Sequence, residues 1–232
     1  MRSNSTTHST LPRRSGFSLV ELLTVIAIIS VLLTVAGVGL GNLSGGKGVA
    51  TAVSTSEAVF EEARSLAVGK RTNAAVLVSL QDPSDPETYL RRIVVAYKEI
   101  DPVTNKQDGS WTLASRGATL PERVYYSTDL SMQDHKAGSG GLPKITLSTS
   151  KREYSGEYVI YEFNAEGICT TPGASFVVGI GSRTAGSSER RPRVVGTAKL
   201  DFGGFVIYRN GNTSMFKDPR QITKGKNNIT HF

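Results

Sequence analysis

A single cysteine, Cys169, stands in 232 residues. No internal disulfide can form, so the disulfide framework of small secreted domains is excluded. Histidine is almost as scarce: His8, His135 and His231 are scattered, and none has metal-ligand spacing with Cys169 or with another histidine. They read as solvated surface side chains, and no metal centre is expected. No Ser/His/Asp or Cys/His set emerges from the spacing, so neither catalysis nor a cofactor is expected. The chain also lacks an internal repeat and a second long apolar run. Gly179-Ile180-Gly181-Ser182 resembles half of a phosphate-binding glycine loop, but it follows no βαβ context and lacks the later glycine and acidic residue. It reads as a strand end and hairpin turn. Asp82, Asp85 and Glu87, or Asp101 and Asp108, could ligate calcium with backbone oxygens; without an EF-hand pattern they read as solvated turn carboxylates.

Charge of one sign is less abundant than the totals suggest. There are 27 Lys and Arg against 20 Asp and Glu, a formal charge of +7. Three of the cations, Arg2, Arg13 and Arg14, precede a long apolar run, and without that leader 24 basic residues face 20 acidic ones. The remaining excess gives a mild positive field that favours nucleic acid or acidic lipid.

What the chain does have is the stretch RRSGFSLVELLTVIAIISVL, Arg13 to Leu32. Residues 1–11 are polar and Ser/Thr-rich, a composition that predicts disorder. Arg13 and Arg14 then supply the positive charge that stays cytoplasmic under the positive-inside rule. From Phe17 to Leu40 the chain is almost wholly apolar. As a helix this run reaches roughly 36 Å at about 1.5 Å per residue, enough to cross a bilayer. A cleaved export signal, with Arg13-Arg14 as a twin-arginine pair, is one reading. The run exceeds the usual h-region, however, and no small-x-small cleavage site with a polar flank follows it. Glu21 is the third objection. An isolated ionised side chain near the bilayer centre costs about 2.5–3.5 kcal/mol on insertion scales, less near the interface, and is usually tolerated because it has a partner. A free α-amino group, made by a cut between Gly16 and Phe17, would lie one helical turn from Glu21. Within one chain such a pair could neutralise itself; between chains it would set the register of packed helices.

Arg13-Arg14-Ser15-Gly16 followed by Phe17-Ser18-Leu19-Val20-Glu21-Leu22-Leu23 resembles the prepilin signal of type IV pilins and type II secretion pseudopilins. The resemblance implies cleavage after Gly16 by a membrane prepilin peptidase, methylation of the new N-terminal Phe17, and an assembly role for Glu21. It further implies a structural subunit of a pilus or pseudopilus, not an enzyme, with other pilin-like subunits, the peptidase and the bacterial inner membrane as partners. The placement implied is single-pass, with the C-terminal domain in the periplasm or in an extracytoplasmic filament. The alternative that stays open is a membrane-anchored binding module recognising DNA or an envelope ligand through its β-rich domain.

Beyond the apolar run, Gly37, Gly39, Gly41, Gly45, Gly46 and Gly48 predict a kink or partial unwinding, with close packing on small residues as the competing account. Helical spacing resumes at Val49, Val53, Phe60, Ala63 and Ala67, with Glu57, Glu61, Glu62 and Arg64 between them, and predicts an amphipathic helix ending near Gly69. Short β-branched and aromatic runs follow: 75–78, 93–97, 124–126, 158–163, 176–178 and 205–208 read as strands, with Ile145 to Leu147 a short one inside a polar loop. Asp82-Pro83, Asp108-Gly109, Gly203-Gly204 and Asn210-Gly211 read as the breaks. The expected class is α+β, one long helix followed by antiparallel sheet. The expected divisions are a leader over 1–16, a membrane and assembly helix over 17–40, a joint and stem helix over 41–69, and a β-rich head over 70–232.

Within the resembled family the order of features leans towards H-type minor pseudopilins. Ala63-Arg64-Ser65-Leu66-Ala67, Phe163-Asn164-Ala165-Glu166-Gly167 and the strand Gly204 to Tyr208 are the pieces that carry this narrower likeness. Arg183, Arg190, Arg191 and Arg193 gather in a Gly/Ser-rich loop, and Arg209, Lys217, Arg220, Lys224 and Lys226 follow. They read first as a solubilising face. Arg190, Arg191, Arg193, Lys224 and Lys226 are also the candidates for contact with DNA or an acidic partner.

Overall fold

A computed structural model describes residues 19–232 apart from 102, 105, 185, 187, 188, 195–199, 225 and 227; the side chains of 31–46 and of residue 108 also lie outside the description. The chain divides into two compact units, Met1–Leu43 and Ser44–Phe232. Helix α1 runs over Leu19–Lys70. The partial unwinding expected at Gly37 to Gly48 is therefore corrected: the backbone there is assigned as helix throughout. The expected end near Gly69 holds, and Arg71 leaves the helix with φ of +52°.

In the second unit eleven strands are described: β1 (Ala74–Ser79), β2 (Arg92–Ile100), β3 (Gln107–Leu113), β4 (Ala118–Thr119), β5 (Val124–Tyr126), β6 (Lys144–Leu147), β7 (Gly156–Phe163), β8 (Ser175–Ser182), β9 (Arg193–Val194), β10 (Phe202–Ile207) and β11 (Thr213–Met215). A short helix, α2 (Pro219–Thr223), follows them. The strands make two antiparallel sheets. The first has the order β3-β2-β1-β7-β6 with β4 beside β2, and the second has the order β11-β10-β8-β5 with β9 beside β8. One sheet was expected and two are found: the chain passes from one to the other after β4, after β5 and after β7.

The helical spacing from Val49 onward does what amphipathicity requires. Val49, Ala52, Val53, Ser56, Val59, Phe60, Ala63 and Ala67 are buried, while Glu61 and Glu62 face solvent. Phe60 is the centre of this face. Its ring lies 5.1 Å from Tyr161 and 6.3 Å from Phe163 on β7, and 5.5 Å from Phe176 and 5.1 Å from Phe205 on β8 and β10. One side chain thus touches both sheets, in the edge-to-face geometry that aromatic quadrupoles favour.

Helix and second sheet come close because of glycine. A Cβ on Gly203 would stand 2.7 Å from Val49 Cγ1, whereas one on Gly204 would stand 2.1 Å from the Phe176 carbonyl oxygen of the neighbouring strand. Gly203-Gly204 is accordingly not a break but the middle of β10, paired with Val178 and Val177. The same correction applies to Asp108-Gly109, which lies inside β3. It applies also to Gly179-Ile180-Gly181-Ser182, the last four residues of β8 rather than a hairpin turn. There the missing side chains make room for the rings of Phe202 and Phe232. Asn210-Gly211 is a turn as expected, with Gly211 at φ of +78° between β10 and β11.

A buried hydroxyl chain ties the sheets together. Tyr161 donates to the Ser175 carbonyl at 2.8 Å, which leaves its oxygen to accept from the Tyr126 hydroxyl at 2.8 Å. Leu90 adds a backbone link, its N–H donating to Ser79 and its carbonyl accepting from Tyr126.

Replacing Phe60 with alanine removes the contact common to both sheets and should lower the unfolding free energy of Ser44–Phe232 by about 3–5 kcal/mol in urea titration. An effect under about 1 kcal/mol would contradict this account of the core. Burial pushes the Tyr126 pKa up to about 12 and that of Tyr161 well above its ordinary value. The fold therefore prefers the neutral phenols. Their contribution is whole below the unfolded pKa near 10 and is lost as pH rises towards 12, at about 1.4 kcal/mol per pH unit for each ring. Tyr126→Phe should make stability fall less steeply with pH between about 10 and 12 than in the parent chain.

Candidate functional site

In the first unit, the start of α1 is apolar on every side. Leu19, Val20, Leu22, Leu23, Val25, Ile26, Ile28 and Ile29 are 45–75% exposed. At about 100° per residue these positions span the full circumference, and a helix apolar all round belongs inside something else. The hydroxyls among them are internally satisfied: Thr24 donates to the Val20 carbonyl at 2.6 Å and Ser30 to that of Ile26 at 2.8 Å. Such back-bonding is what a polar side chain needs where water is absent. Glu21 differs. It is exposed, and no hydrogen bond or ion pair joins it to another described residue. Gly16 and Phe17 lie outside the described residues.

A family model described as "Prokaryotic N-terminal methylation motif" matches residues 11–37. The chain carries the prepilin-type signal of type IV pilins and pseudopilins. The match spans the basic pair, Gly16-Phe17 and Glu21, 27 residues of the 232. No curated protein and no solved structure matches the chain. A prepilin-type signal points to a structural subunit and not to an enzyme, to assembly with other pilin subunits, and to processing by prepilin peptidase. Among the described residues no helix is long and apolar enough to cross a membrane. The span expected over 17–40 reaches into 31–40, whose side chains are outside the description.

In the second unit, two of the short segments of the narrower likeness, and the hairpin that follows the third, meet at one side chain. Ala63 and Ala67 are buried, and between them Arg64 Nη1 donates to Asn212 Oδ1 at 3.1 Å and lies 3.5 Å from Glu61. The turn after β7 is closed by the Asn164 side chain, which accepts from the Glu166 and Ile168 N–H groups, with Gly167 at φ of +75°. A Cβ on Gly211 would fall 2.6 Å from the Gly167 carbonyl and 2.7 Å from Arg64 Cδ. Arg64 thus runs between that turn and the β10–β11 hairpin. Thr213 adds a second tie by donating to Glu57 Oε1 at 2.8 Å. Spacing alone showed Arg64 as one solvent-facing residue among several, and its partner is 148 positions away.

The arginines singled out from the sequence do not form a free cationic surface. Arg191 pairs with Asp129 at 3.2 Å, and Arg193 with Glu189 at 3.4 Å, where His231 also lies at 3.5 Å. Arg190 is exposed. Arg183 lies over the Tyr89 ring at 4.2 Å and donates to the carbonyls of Pro83 and Glu189; burial lowers its pKa. Lys224 and Lys226 belong to a different element, the end of α2 and its exit.

The acidic turns are closed by their own loops. Asp82 accepts from the Ser84 hydroxyl at 2.7 Å and amide at 2.8 Å, and these bonds lower its pKa. At Asp85 burial acts upward, but bonds from Thr88 and Glu87 and the charge of Arg92 outweigh it, so the pKa is lowered. Asp101 is lowered by bonds from the Val103 amide and Thr104 hydroxyl. Among the described residues no group of three or more His, Cys, Asp or Glu could hold a metal ion. Cys169 is buried, which raises its thiol pKa. A groove of about 250 Å³ on the first sheet is lined in part by Lys98, Trp111 and Glu162, and Lys98 is already engaged, 3.5 Å from Glu162 and 4.9 Å above the Trp111 ring.

Both partners of the Arg191–Asp129 pair are partly exposed, so the pair should contribute at most about 1 kcal/mol. Arg191→Ala with Arg193→Ala should lower stability only slightly in urea titration, with the loss shrinking as salt rises; a salt-independent loss above about 2 kcal/mol would contradict an exposed-pair role.

Proposed function

We propose that this chain is a pilin-like structural subunit, cut after Gly16 and methylated at Phe17, that assembles through its N-terminal helix into a type IV pilus or a type II secretion pseudopilus. The observation that carries the reading is the prepilin-type signal at residues 11–37, together with an apolar helix whose one carboxylate is unmatched. The proposed divisions are a leader over 1–16, a membrane and assembly helix over 17–40, a stem over 41–69 and a head over 70–232. Before assembly the apolar helix rests in the inner membrane, with the head on the far side from Arg13 and Arg14. In the filament the same helix is buried against its neighbours, and Glu21 meets the N-terminal amine of an adjacent subunit. That pairing removes the penalty of a lone carboxylate in a medium of low dielectric and sets the axial register.

The minor, H-type assignment is the finer part of the proposal. It is supported by the convergence of the Ala63–Ala67, Phe163–Gly167 and β10–β11 segments on Arg64, since three short segments far apart in sequence share one packing purpose.

Mass analysis of the mature protein should find a chain starting at Phe17 with one added methyl group. A chain that keeps its leader, or begins beyond Leu40, would overturn the proposal in favour of an anchored binding module. Glu21→Ala should leave membrane insertion unchanged and lower incorporation into filaments at least about tenfold, equivalent to ~1.4 kcal/mol. Undiminished incorporation would remove Glu21 from assembly.

A further inference from the structure

Residues 134–140 form a turn that is stiff within itself and tied to the rest of the unit through one residue. Asp134 and Ser139 pair as an isolated bridge, and the Asp134 carboxylate accepts from the Ala137 N–H at 2.9 Å. The Gly138 N–H donates to the Asp134 carbonyl at 2.9 Å, and the Gln133 N–H donates to that of Gly140 at 2.9 Å. The chain is anchored on either side of the turn. The Met132 N–H donates to the Ser175 hydroxyl at 3.0 Å, and the Pro143 carbonyl accepts from the Ile160 N–H at 3.0 Å. Between those anchors the ties that leave the turn run through His135. Its N–H donates to the Gly173 carbonyl at 3.0 Å, and its ring lies 4.6 Å from that of Phe216, just before α2.

That ring is placed for a neutral imidazole. It is half-buried, and Nδ1 is shut off from solvent without a hydrogen-bond partner among the described residues. The bond to the Gln221 backbone carbonyl therefore falls to Nε2. One N–H then has an acceptor, and the other nitrogen keeps a bare lone pair. A proton on Nδ1 would make a buried donor with nothing to donate to. The charges facing it add to the cost. Lys224 ends α2 with its Nζ close enough to Gly138 to exclude a Cβ there. Lys217 and Arg220 on the α2 segment and Lys136 on the turn are exposed and take part in no ion pair among the described residues. Both acids of these segments are engaged, Asp134 by the Ala137 N–H and Asp218 by the Arg220 N–H at the start of α2. The stretch 171–174, packed on His135 through Gly173, carries no charged side chain. Burial accordingly holds the His135 pKa below its ordinary value; Lys224 acts the same way, and the Gln221 carbonyl and Asp134 act upward without cancelling them.

We propose that His135 is an acid-released latch: neutral, it holds the 134–140 turn against Phe216 and α2, and protonated, it lets the turn swing away and uncovers that face of the head. The direction follows from the site. A group that the folded state keeps neutral contributes fully above its unfolded pKa, near 6.5 for histidine, and the contribution is lost as pH falls below that value. Asp134 and Asp218 do not produce the same change, because carboxylates stay ionised until the pH is near 4. The Phe216 ring offers an imidazolium its π face, but that attraction supplies no acceptor for Nδ1. Release is local. The Met132 and Pro143 anchors and the pairing of β8 with β10 do not involve the imidazole, so the turn opens as a flap on an intact sheet. What it uncovers is the Phe216 ring, half-covered while the latch is closed. This inference concerns the second unit alone and does not depend on processing after Gly16 or on filament assembly.

The test is amide hydrogen exchange read by mass spectrometry on the full chain in a nonionic detergent, at about pH 7.5 and about pH 5, with each rate divided by the intrinsic chemical rate at that pH. Peptides covering 133–140 and 216–224 should lose protection at least about threefold at the lower pH, while those covering 158–163 keep theirs. His135→Phe retains an aromatic ring against Phe216 and cannot be charged, so both peptides should stay protected at both pH values. Lys224→Gln retains the histidine and removes the nearest cation, so the acid-induced loss should shrink to about half or less. The proposal is overturned if the parent chain protects residues 133–140 equally at the two pH values. It is overturned also if His135→Phe loses protection in acid as the parent does, which would assign the change to another group. Should His135→Phe leave the turn open at both pH values, Lys224→Gln decides: a loss equal to the parent's overturns the latch, and a smaller one upholds it.

Discussion

Burial of one side of the stem helix between two sheets is the constraint on which the second unit depends. Phe60 meets β7 on one side and β8 and β10 on the other, with the nearest ring centroids 5.1 Å away on each. The demand this makes on the sequence is unusual. Small residues are needed where the helix approaches a strand: Ala63 and Ala67 stand on the helix, and Gly203 stands on β10 against Val49 and Val53. Without those side chains the large rings of Phe60, Phe176 and Phe205 can occupy the space between.

Several polar groups at the same boundaries are paired across them. The Tyr126–Tyr161–Ser175 chain crosses between the sheets with each hydroxyl spent. At the rim, Arg64 and Glu57 hold the β10–β11 hairpin to the helix. These ties differ from Glu21 in kind. The rim side chains Arg64 and Glu57 find partners within the chain, whereas Glu21, the one carboxylate in the apolar start of α1, has none among the described residues.

Much of the fold was legible in local pattern. The stem's buried face follows from threes and fours in Val49, Val53, Phe60, Ala63 and Ala67, and all of these are buried. The β-branched runs at 75–78, 93–97, 124–126, 158–163 and 176–178 lie in strands. Glycine was the recurrent source of error. Asp108-Gly109, Gly203-Gly204 and Gly179 to Ser182 have turn composition, yet each is strand. Glycine is permitted both by a turn that needs positive φ and by a strand that another side chain presses against. Only the neighbour's position separates the two cases.

The sequence by itself determined the features that are contiguous: the prepilin-type signal, the apolar start of α1, the stem's periodicity and most strands. Each depends on residues a few positions apart, so the order of side chains is already the relevant geometry. Tertiary structure alone decided that the strands form two sheets, that Arg64 joins a turn and a hairpin, and which cations stay unpaired. Arg191 finds Asp129 and Arg193 finds Glu189, while Lys217, Arg220 and Lys224 find no acid among the described residues. Coulombic pairing acts through space within a few ångströms, and distance along the chain carries no information about it.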